Sequence, residues 1–345
     1  MDKIEINSLT LQELKSFMQD IGEKPFRGEQ VFSYFNRNLK LDISELNLLP
    51  IELRKTLIDI VVVNHIDLLE RFDSKLDKTN KYLFRLEDGN IIESVFMEYK
   101  HGNTACISTQ VGCKMGCAFC ASTKDGLIRH LSPAEMVNQV YMMEKDKGLE
   151  ISNIVLMGSG EPLDNYDKVL KFIDIIHDEK GHNISLRNIT LSTCGLVPKI
   201  YDLAKENLPI TLSISLHSPF DEERMKIMPI AKRYKLKELL EACKYYGDSN
   251  NRRITFEYTL IEGVNDGERE VDELSKILKG INAHINLIPL NPIKEYNKER
   301  PERTNVERFQ KMLLRRNLPA TIRREMGSDI SASCGQLRRR VVEKE

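Results

Sequence analysis

The chain has 345 residues and is 41% hydrophobic, enough to bury a substantial core, and its length suits one large domain with an appendage or two modest domains. Its 51 basic and 52 acidic side chains cancel to a formal charge of -1, which excludes nucleic-acid binding by overall charge and leaves a local basic patch as the only electrostatic route. The start "MDKIEINSLT" has no apolar signal region and "IVVV" at 60–63 is too short to span a bilayer, so a cytoplasmic protein with no membrane partner is expected.

Residues 1–65 read as a small helical accessory domain. Ser8 is placed to cap "LTLQELKSFMQDIG", "KPFRGEQVFSYFNRN" follows, and "DISELNLLPIELRKTLID" completes the set. Residues 66–102 read as a hairpin linker, because Asp88-Gly89 separates two apolar-rich runs in "NKYLFRLEDGNIIESVFMEY". From 103 to 345, strand patterns alternate with amphipathic helix patterns. The strands expected are 105–109, 153–157, 188–192, 210–216, 254–260 and 284–290. Six strands separated by helices imply parallel βαβ units, and Ser132-Pro133 with Glu135 opens one crossover helix as a capping box. The fold class expected is α/β, an open, partial six-unit β/α barrel, since a closed eight-unit barrel needs more residues than remain. The stretch "KEYNKERPERT" (294–304) reads as a solvated loop.

Seven cysteines, an odd number with three crowded together, do not suit a secreted disulfide framework and point to metal or thiol chemistry in a reducing compartment. In "CKMGCAFC", Cys113, Cys117 and Cys120 follow the spacing C-x3-C-x2-C. A structural zinc site is closed by four ligands, and Cys106 is available as a fourth. A 4Fe-4S cluster held by three thiolates instead leaves one iron open for a non-protein ligand. The loop resembles that of the radical S-adenosylmethionine (SAM) superfamily, which implies one such cluster.

The polar motifs "GSGEP" (158–162), "LSTCG" (191–195), "SLHS" (215–218) and "PLNP" (289–292) follow the expected strands, where the active-site loops of barrel-type folds gather. Each alone reads as a turn or a strand-end hydrogen-bonding residue. At the other end, 13 Lys and Arg face 7 Asp and Glu over 298–345, a basic segment that serves either as a solvated face or as a phosphate contact. Cys334 lies inside it, beside Gly335, and reads either as an inert core thiol or as a nucleophile.

Together, "ESVFMEY", "ACISTQVGCKMGCAFCAST", "VLMGSGEPLDNYD", "LSTCGLVPKI", "SISLHSP", "FEYTLIEGVND", "NLIPLNP" and "TIRREMGSDISASCGQLR" resemble, in order, the RlmN/Cfr family of radical SAM RNA methyltransferases. "STQVGC", "CAST" and "RREMGSD" are more similar to the carbon-2 branch of the family than to the carbon-8 branch. Ser159 and Ser333 depart from the family's usual Met and Ala. The resemblance implies methylation of carbon-2 of an adenine in 23S ribosomal RNA and in transfer RNA, with two SAM molecules used per turnover. It implies Gly160, Glu161, Ser192, Ser215, Leu216, His217 and Asn291 as SAM contacts, Cys334 as an S-methylcysteine carrier and Glu93 as proton acceptor. Cys106 becomes the resolving thiol, in a transient disulfide with Cys334. Read without the family, Glu93 is a solvent-facing strand residue and Cys106 a core thiol. An electron donor such as flavodoxin or ferredoxin is implied, and a monomer is expected. Lys24, Arg27, Arg37 and Lys40 of the helical domain are candidates to grip RNA. The alternatives are the carbon-8 activity, a zinc-stabilised RNA-binding module, and a radical enzyme acting on a protein or small molecule.

Overall fold

The amino-terminal region opens in β1 (Ile4–Glu5), runs through α1 (Leu11–Asp20), α2 (Phe26–Asn36) and α3 (Ile51–Ile60), and returns in β2 (Val61–Val62), parallel to β1. The structure is a computed structural model and describes residues 3–338; Arg339 and Arg340 of the basic segment lie outside the described residues. Thr10, not Ser8, caps α1: its hydroxyl accepts the Glu13 N–H at 3.2 Å and its own N–H donates to the Glu13 carboxylate at 3.0 Å. Ser8 instead accepts the Ala134 N–H at 3.0 Å and ties this region to the rest of the chain. The third expected helix splits into a 3-10 turn at Ile43–Glu45 and α3, because Pro50 disfavours helical geometry at the residue before it.

Three antiparallel strands follow, β3 (Ile66–Asp73), β4 (Thr79–Leu86) and β5 (Ile91–Tyr99), and β5 pairs with β6 (Gly102–Cys106). The 66–102 stretch is therefore built into the main sheet. A small hairpin, β7 (Gln110–Gly112) with β8 (Leu127–His130), brackets the cysteine loop. Parallel pairing then continues from β6 through β9 (Asn153–Leu156), β10 (Ile189–Thr193), β11 (Thr211–Ser215), β12 (Ile254–Leu260), β13 (Ala283–Pro289) and β14 (Ala320–Ile322), giving one open ten-stranded sheet. The short edge strand β14 adds a seventh parallel strand to the six expected.

The crossovers are α4 (Pro133–Lys147), α5 (Tyr166–His177), α6 (Val197–Lys205), α7 (Asp221–Ile227) with α8 (Leu236–Asn250), α9 (Glu268–Ile277) and α10 (Arg303–Arg315). Ser132 and Glu135 form the expected capping box on α4. Among the described residues no helix is long and apolar enough to cross a membrane.

Side chains alternate across β4 and β5, and both faces are covered. Tyr82, Phe84, Ile92 and Phe96 join the main core, where each buried aromatic ring contributes roughly 1.5–3 kcal/mol. Val95 and Met97 face the other way and pack with Cys106 against Met326, Ala332 and Leu337 of the carboxyl-terminal segment. That segment is fastened at several points: Asp329 accepts the Ser74 hydroxyl at 2.7 Å, Gly335 O accepts the Ala121 N–H at 2.7 Å, and Leu337 O accepts the Ser122 hydroxyl at 2.6 Å.

Candidate active site

The carboxyl ends of β9–β13 surround a cavity of about 910 Å³, its open mouth included. Cys113, Cys117 and Cys120 line it on the β7–β8 side, and Gly160, Glu161, Ser192, Ser215, His217 and Asn291 line it from the strand ends. Cys334 closes it from the carboxyl-terminal segment. Leu216 is buried without lining the cavity.

The cysteine loop is held at both ends by backbone: Cys113 N–H donates to Gly126 O at 2.9 Å, and Ala118 N–H donates to Ile227 O at 2.9 Å. Burial pushes the Cys113 thiol up to about 12, Cys117 well above its ordinary range and Cys120 upward too, so the thiolate form of this trio needs a cationic group among them. Among the described residues no three His, Cys, Asp or Glu side chains converge as ligands of a single ion. Three thiols that share a cavity without meeting at one point fit a group with several metal atoms, each taking one thiolate. Cys106 lines a different cavity, so the closed four-cysteine zinc site is not formed.

Opposite the cysteine loop, Gly160 has φ +112, and a Cβ there would stand 2.7 Å from Gln110 Cβ and 2.8 Å from Thr109 Oγ1. The sharp turn leaves Glu161 buried, with one carboxylate oxygen accepting the Cys194 N–H at 2.8 Å and the other the Leu163 N–H at 3.1 Å. Burial raises its pKa despite these bonds, and a ligand ammonium is the kind of partner that would reverse the shift. Ser159 is buried, and its hydroxyl lies 3.1 Å from that of Ser122, so the substituted position joins the cofactor loop to the cysteine loop. Ser333 is likewise buried and donates to Met326 O at 3.0 Å.

His217 adopts a left-handed backbone, φ 56, and its Nδ1 accepts the Thr259 N–H at 2.9 Å. Burial, then the nearby Arg224 charge, lowers its pKa to about 3, so the ring is neutral with its proton on Nε2. Arg224 on α7 is fully buried and donates to Leu216 O (3.1 Å), Cys194 O (2.7 Å) and Ser215 O (3.0 Å), pinning the ends of β10 and β11. The sequence reading misses it because an Arg in a charged helix reads as surface. Its signal is the apolar Ile227-Met228 three and four residues on.

A second cavity of about 580 Å³ adjoins the first, and Cys334, Asn291, Met157 and Arg323 line both. Cys106 lines the second alone, where burial, then the Cys334 charge, pushes its thiol up to about 12. Arg323 opposes that shift, and its own pKa is raised first by the charge of Cys334 and then, against desolvation, by Glu257. The sequence reading places Arg323 only within a basic run. All seven cysteines are free thiols, and the disulfide between Cys106 and Cys334, expected only as a transient of turnover, is not among the bonds of this structure.

Glu93 is not solvent-facing. It is buried, it accepts the Arg338 N–H at 2.9 Å, and it lines neither cavity, lying one step along the β5 face from Val95. Of the four cations considered for RNA, Lys24, Arg37 and Lys40 are exposed, whereas Arg27 donates to Leu48 O at 3.0 Å and to Gln30 at 2.8 Å within the helical domain.

Residues 107–274 match the radical SAM superfamily, and residues 4–63 match the ribosomal RNA large subunit methyltransferase N-terminal domain. The chain is 52% identical over 338 residues to a probable dual-specificity RNA methyltransferase RlmN of Clostridioides difficile (strain 630), covering 98% of each. It is 53% identical over 343 residues to the protein of the same name in Alkaliphilus metalliredigens (strain QYMF), covering 99% of this chain and 97% of that one. A radical SAM methyltransferase from Sphaerobacter thermophilus, solved by crystallography, superposes with a TM-score of 0.91 at 40% identity, over 97% of this chain and 99% of that one. With the three thiols, the strand-end rim, both domain matches and relatives about half identical over nearly the whole length, the chain belongs to the RlmN family of radical SAM RNA methyltransferases.

Proposed function

We propose that this chain methylates carbon-2 of an adenine in 23S ribosomal RNA and in transfer RNA, by way of S-methylated Cys334 and a transient protein–RNA adduct. The observation that carries the reading is the position of Cys334, whose residue lines both the cavity of the three-cysteine loop and the cavity of Cys106. A carrier must reach a radical source on one side and its substrate and resolving thiol on the other. Carbon-2 of adenine is electron-poor and is no nucleophile toward a sulfonium methyl group, so a carrier and a radical route are needed.

Cys113, Cys117 and Cys120 would hold the 4Fe-4S cluster, which with two SAM molecules per turnover supplies a methyl group and a 5′-deoxyadenosyl radical. Glu161, with Ser192, Ser215, His217 and Asn291, lines the wall against which SAM is oriented. The Cys334 thiolate would take the methyl group, that methyl group would lose one hydrogen atom to the 5′-deoxyadenosyl radical, and its carbon would bond to adenine carbon-2, the adduct's unpaired electron passing back to the oxidised cluster. Glu93 would take the ring proton, and the Cys106 thiolate would attack the Cys334 sulfur, forming a disulfide as the carbon–sulfur bond breaks toward the RNA, whose new carbon takes up a proton to become the methyl group; reductant then reopens the disulfide. The target adenine must be unpaired or flipped, because stacking hides carbon-2. The protein acts as a cytoplasmic monomer supplied with electrons by a flavodoxin or ferredoxin.

The test is anaerobically reconstituted Cys106→Ala protein with reductant, SAM and an RNA fragment, read by mass spectrometry. An adduct linking Cys334 to adenine carbon-2 is expected. An adduct at carbon-8 overturns the position, and SAM cleavage with no adduct on either RNA overturns the substrate.

A further inference from the structure

The second cavity has apolar walls, Val95, Met97, Met157 and Leu337 among them, and most of its polar side chains are already engaged. Glu325, its one carboxylate among the described residues, is paired with Arg300 at 2.8 and 2.7 Å. The Asn291 amide donates to Cys334 O and the Ser333 hydroxyl to Met326 O. Arg324 is exposed to solvent. Two donors beside Cys334 keep poor acceptors. The Tyr99 hydroxyl donates to Met97 Sδ at 3.5 Å, and a thioether sulfur is a weak acceptor. The Arg323 guanidinium meets Met157 Sδ at 3.5 Å and stands 3.7 Å from a Glu257 carboxylate oxygen that already accepts the Asn286 amide at 2.9 Å.

Both of those contacts fall on Nη1 of Arg323, while Nε and Nη2 have no acceptor among the described residues and are not sealed in by protein. The backbone is nonetheless fixed, since the Arg323 N–H donates to Leu287 O at 2.8 Å. Arg323 is also the one lysine or arginine among the described residues that lines both cavities. Burial raises the Tyr99 pKa, the Arg323 charge opposes the shift, and Cys334 and Cys106 add to it, so this hydroxyl stands among the same three side chains. Preorganised donors without protein acceptors, in a cavity walled by apolar groups, suit a ligand that offers acceptors.

In the proposed transfer the carbon on Cys334 joins carbon-2, and the atoms on either side of carbon-2 are N1 and N3, ring nitrogens that accept hydrogen bonds and carry no hydrogen. Groups flanking the Cys334 sulfur on the substrate side therefore face N1 or N3 as the bond forms. We infer that Arg323, seconded by the Tyr99 hydroxyl, is a catalytic donor of the second cavity that hydrogen-bonds a ring nitrogen beside carbon-2 of the target adenine. It places the base against Cys334 and activates carbon-2 for radical addition. The inference rests on the reading of Cys334 as carrier and carbon-2 as target. In the addition step a carbon–carbon bond forms, the π bond between carbon-2 and its nitrogen opens, and the unpaired electron moves into the ring. A charged donor on that nitrogen draws density away from carbon-2, and it binds about twice as strongly as a neutral one.

The experiment pairs a change in the protein with a change in the RNA. Reconstituted full-length Cys106→Ala protein, with and without Arg323→Met, is loaded with the methyl group on Cys334, confirmed by intact mass. It is then given reductant, SAM and RNA fragments carrying adenine, 1-deazaadenine or 3-deazaadenine at the target, and adduct formation is timed on denaturing gels. Removing a ring nitrogen lowers the intrinsic reactivity of carbon-2 equally for both proteins, so the coupling between the two changes isolates the hydrogen bond. One of the two analogues should slow adduct formation, and its penalty should shrink about tenfold in the Arg323→Met protein. Tyr99→Phe should shrink the same penalty about twofold to threefold, and Arg323→Gln serves if Arg323→Met does not fold or is inert. Equal penalties with and without Arg323 for both analogues overturn the role of Arg323. A tenfold loss of SAM affinity by calorimetry alongside equal penalties assigns the guanidinium to the cofactor instead. No adduct between the Cys106→Ala protein and unmodified RNA overturns the carbon-2 reading, and this inference with it.

Discussion

Asn291 donates its side-chain amide to the Cys334 carbonyl at 3.0 Å, tying the Cys334 backbone to the loop that follows β13. A residue expected to touch SAM thus also holds the residue proposed as methyl carrier. Asn291→Ala removes one hydrogen bond, worth about 1 kcal/mol, and should slow methyl loading of Cys334 by roughly fivefold to tenfold. Intact-mass analysis of Cys334 S-methylation against time checks this, with Asn291→Asp, which keeps the shape but not the amide donor, as a companion.

His217 predicts an acid limit. Its folded pKa of about 3 lies below the ordinary 6.5, so the unfolded chain binds a proton first as pH falls. Its contribution is complete above pH 6.5 and is lost as pH falls through about 3. His217→Gln should be less stable than wild type at neutral pH, and the gap should close over that window in chemical denaturation series.

Gly160→Ala places a methyl group against Gln110 and Thr109 at a backbone angle that costs about 1–2 kcal/mol for an L side chain. The clash lies at the rim rather than in the core. Stability should fall by about that amount, while SAM affinity, read by calorimetry on reconstituted protein, falls at least about tenfold.

Arg224→Lys keeps the charge and loses the fork. With three carbonyls to satisfy from a buried position, one ammonium cannot reproduce the guanidinium geometry. A loss of about 2–3 kcal/mol in unfolding free energy is expected, and Arg224→Met, which leaves the carbonyls without this donor, should cost more.

Much of the barrel was legible because its signals are local. Alternating runs ended by polar turns gave all six inner strands within a few residues, and Asp88-Gly89 marked the turn between β4 and β5. The capping box of α4 was read correctly, whereas at α1 the same signal, Thr10 with Glu13, was passed over for Ser8. What the sequence hid were relations across distance. The covering of one face of β5 by residues 326–337 turns Glu93 from a surface residue into a buried one, and nothing within the hairpin announces that cover. Arg224 and Arg323 escaped for the same reason: their partners come from other strands, and an isolated arginine carries no mark of what it will meet.

Ser122 and Leu337 meet across 215 residues of chain. Synthesis runs from the amino terminus at roughly 5–20 residues per second, so the cysteine loop leaves the ribosome about ten to forty seconds before the strand of chain that roofs it. During that interval the loop faces solvent on the side Gly335 and Leu337 later cover. Translation order thereby becomes an assembly order: metal can enter an open loop first, and the Cys334 thiol arrives last.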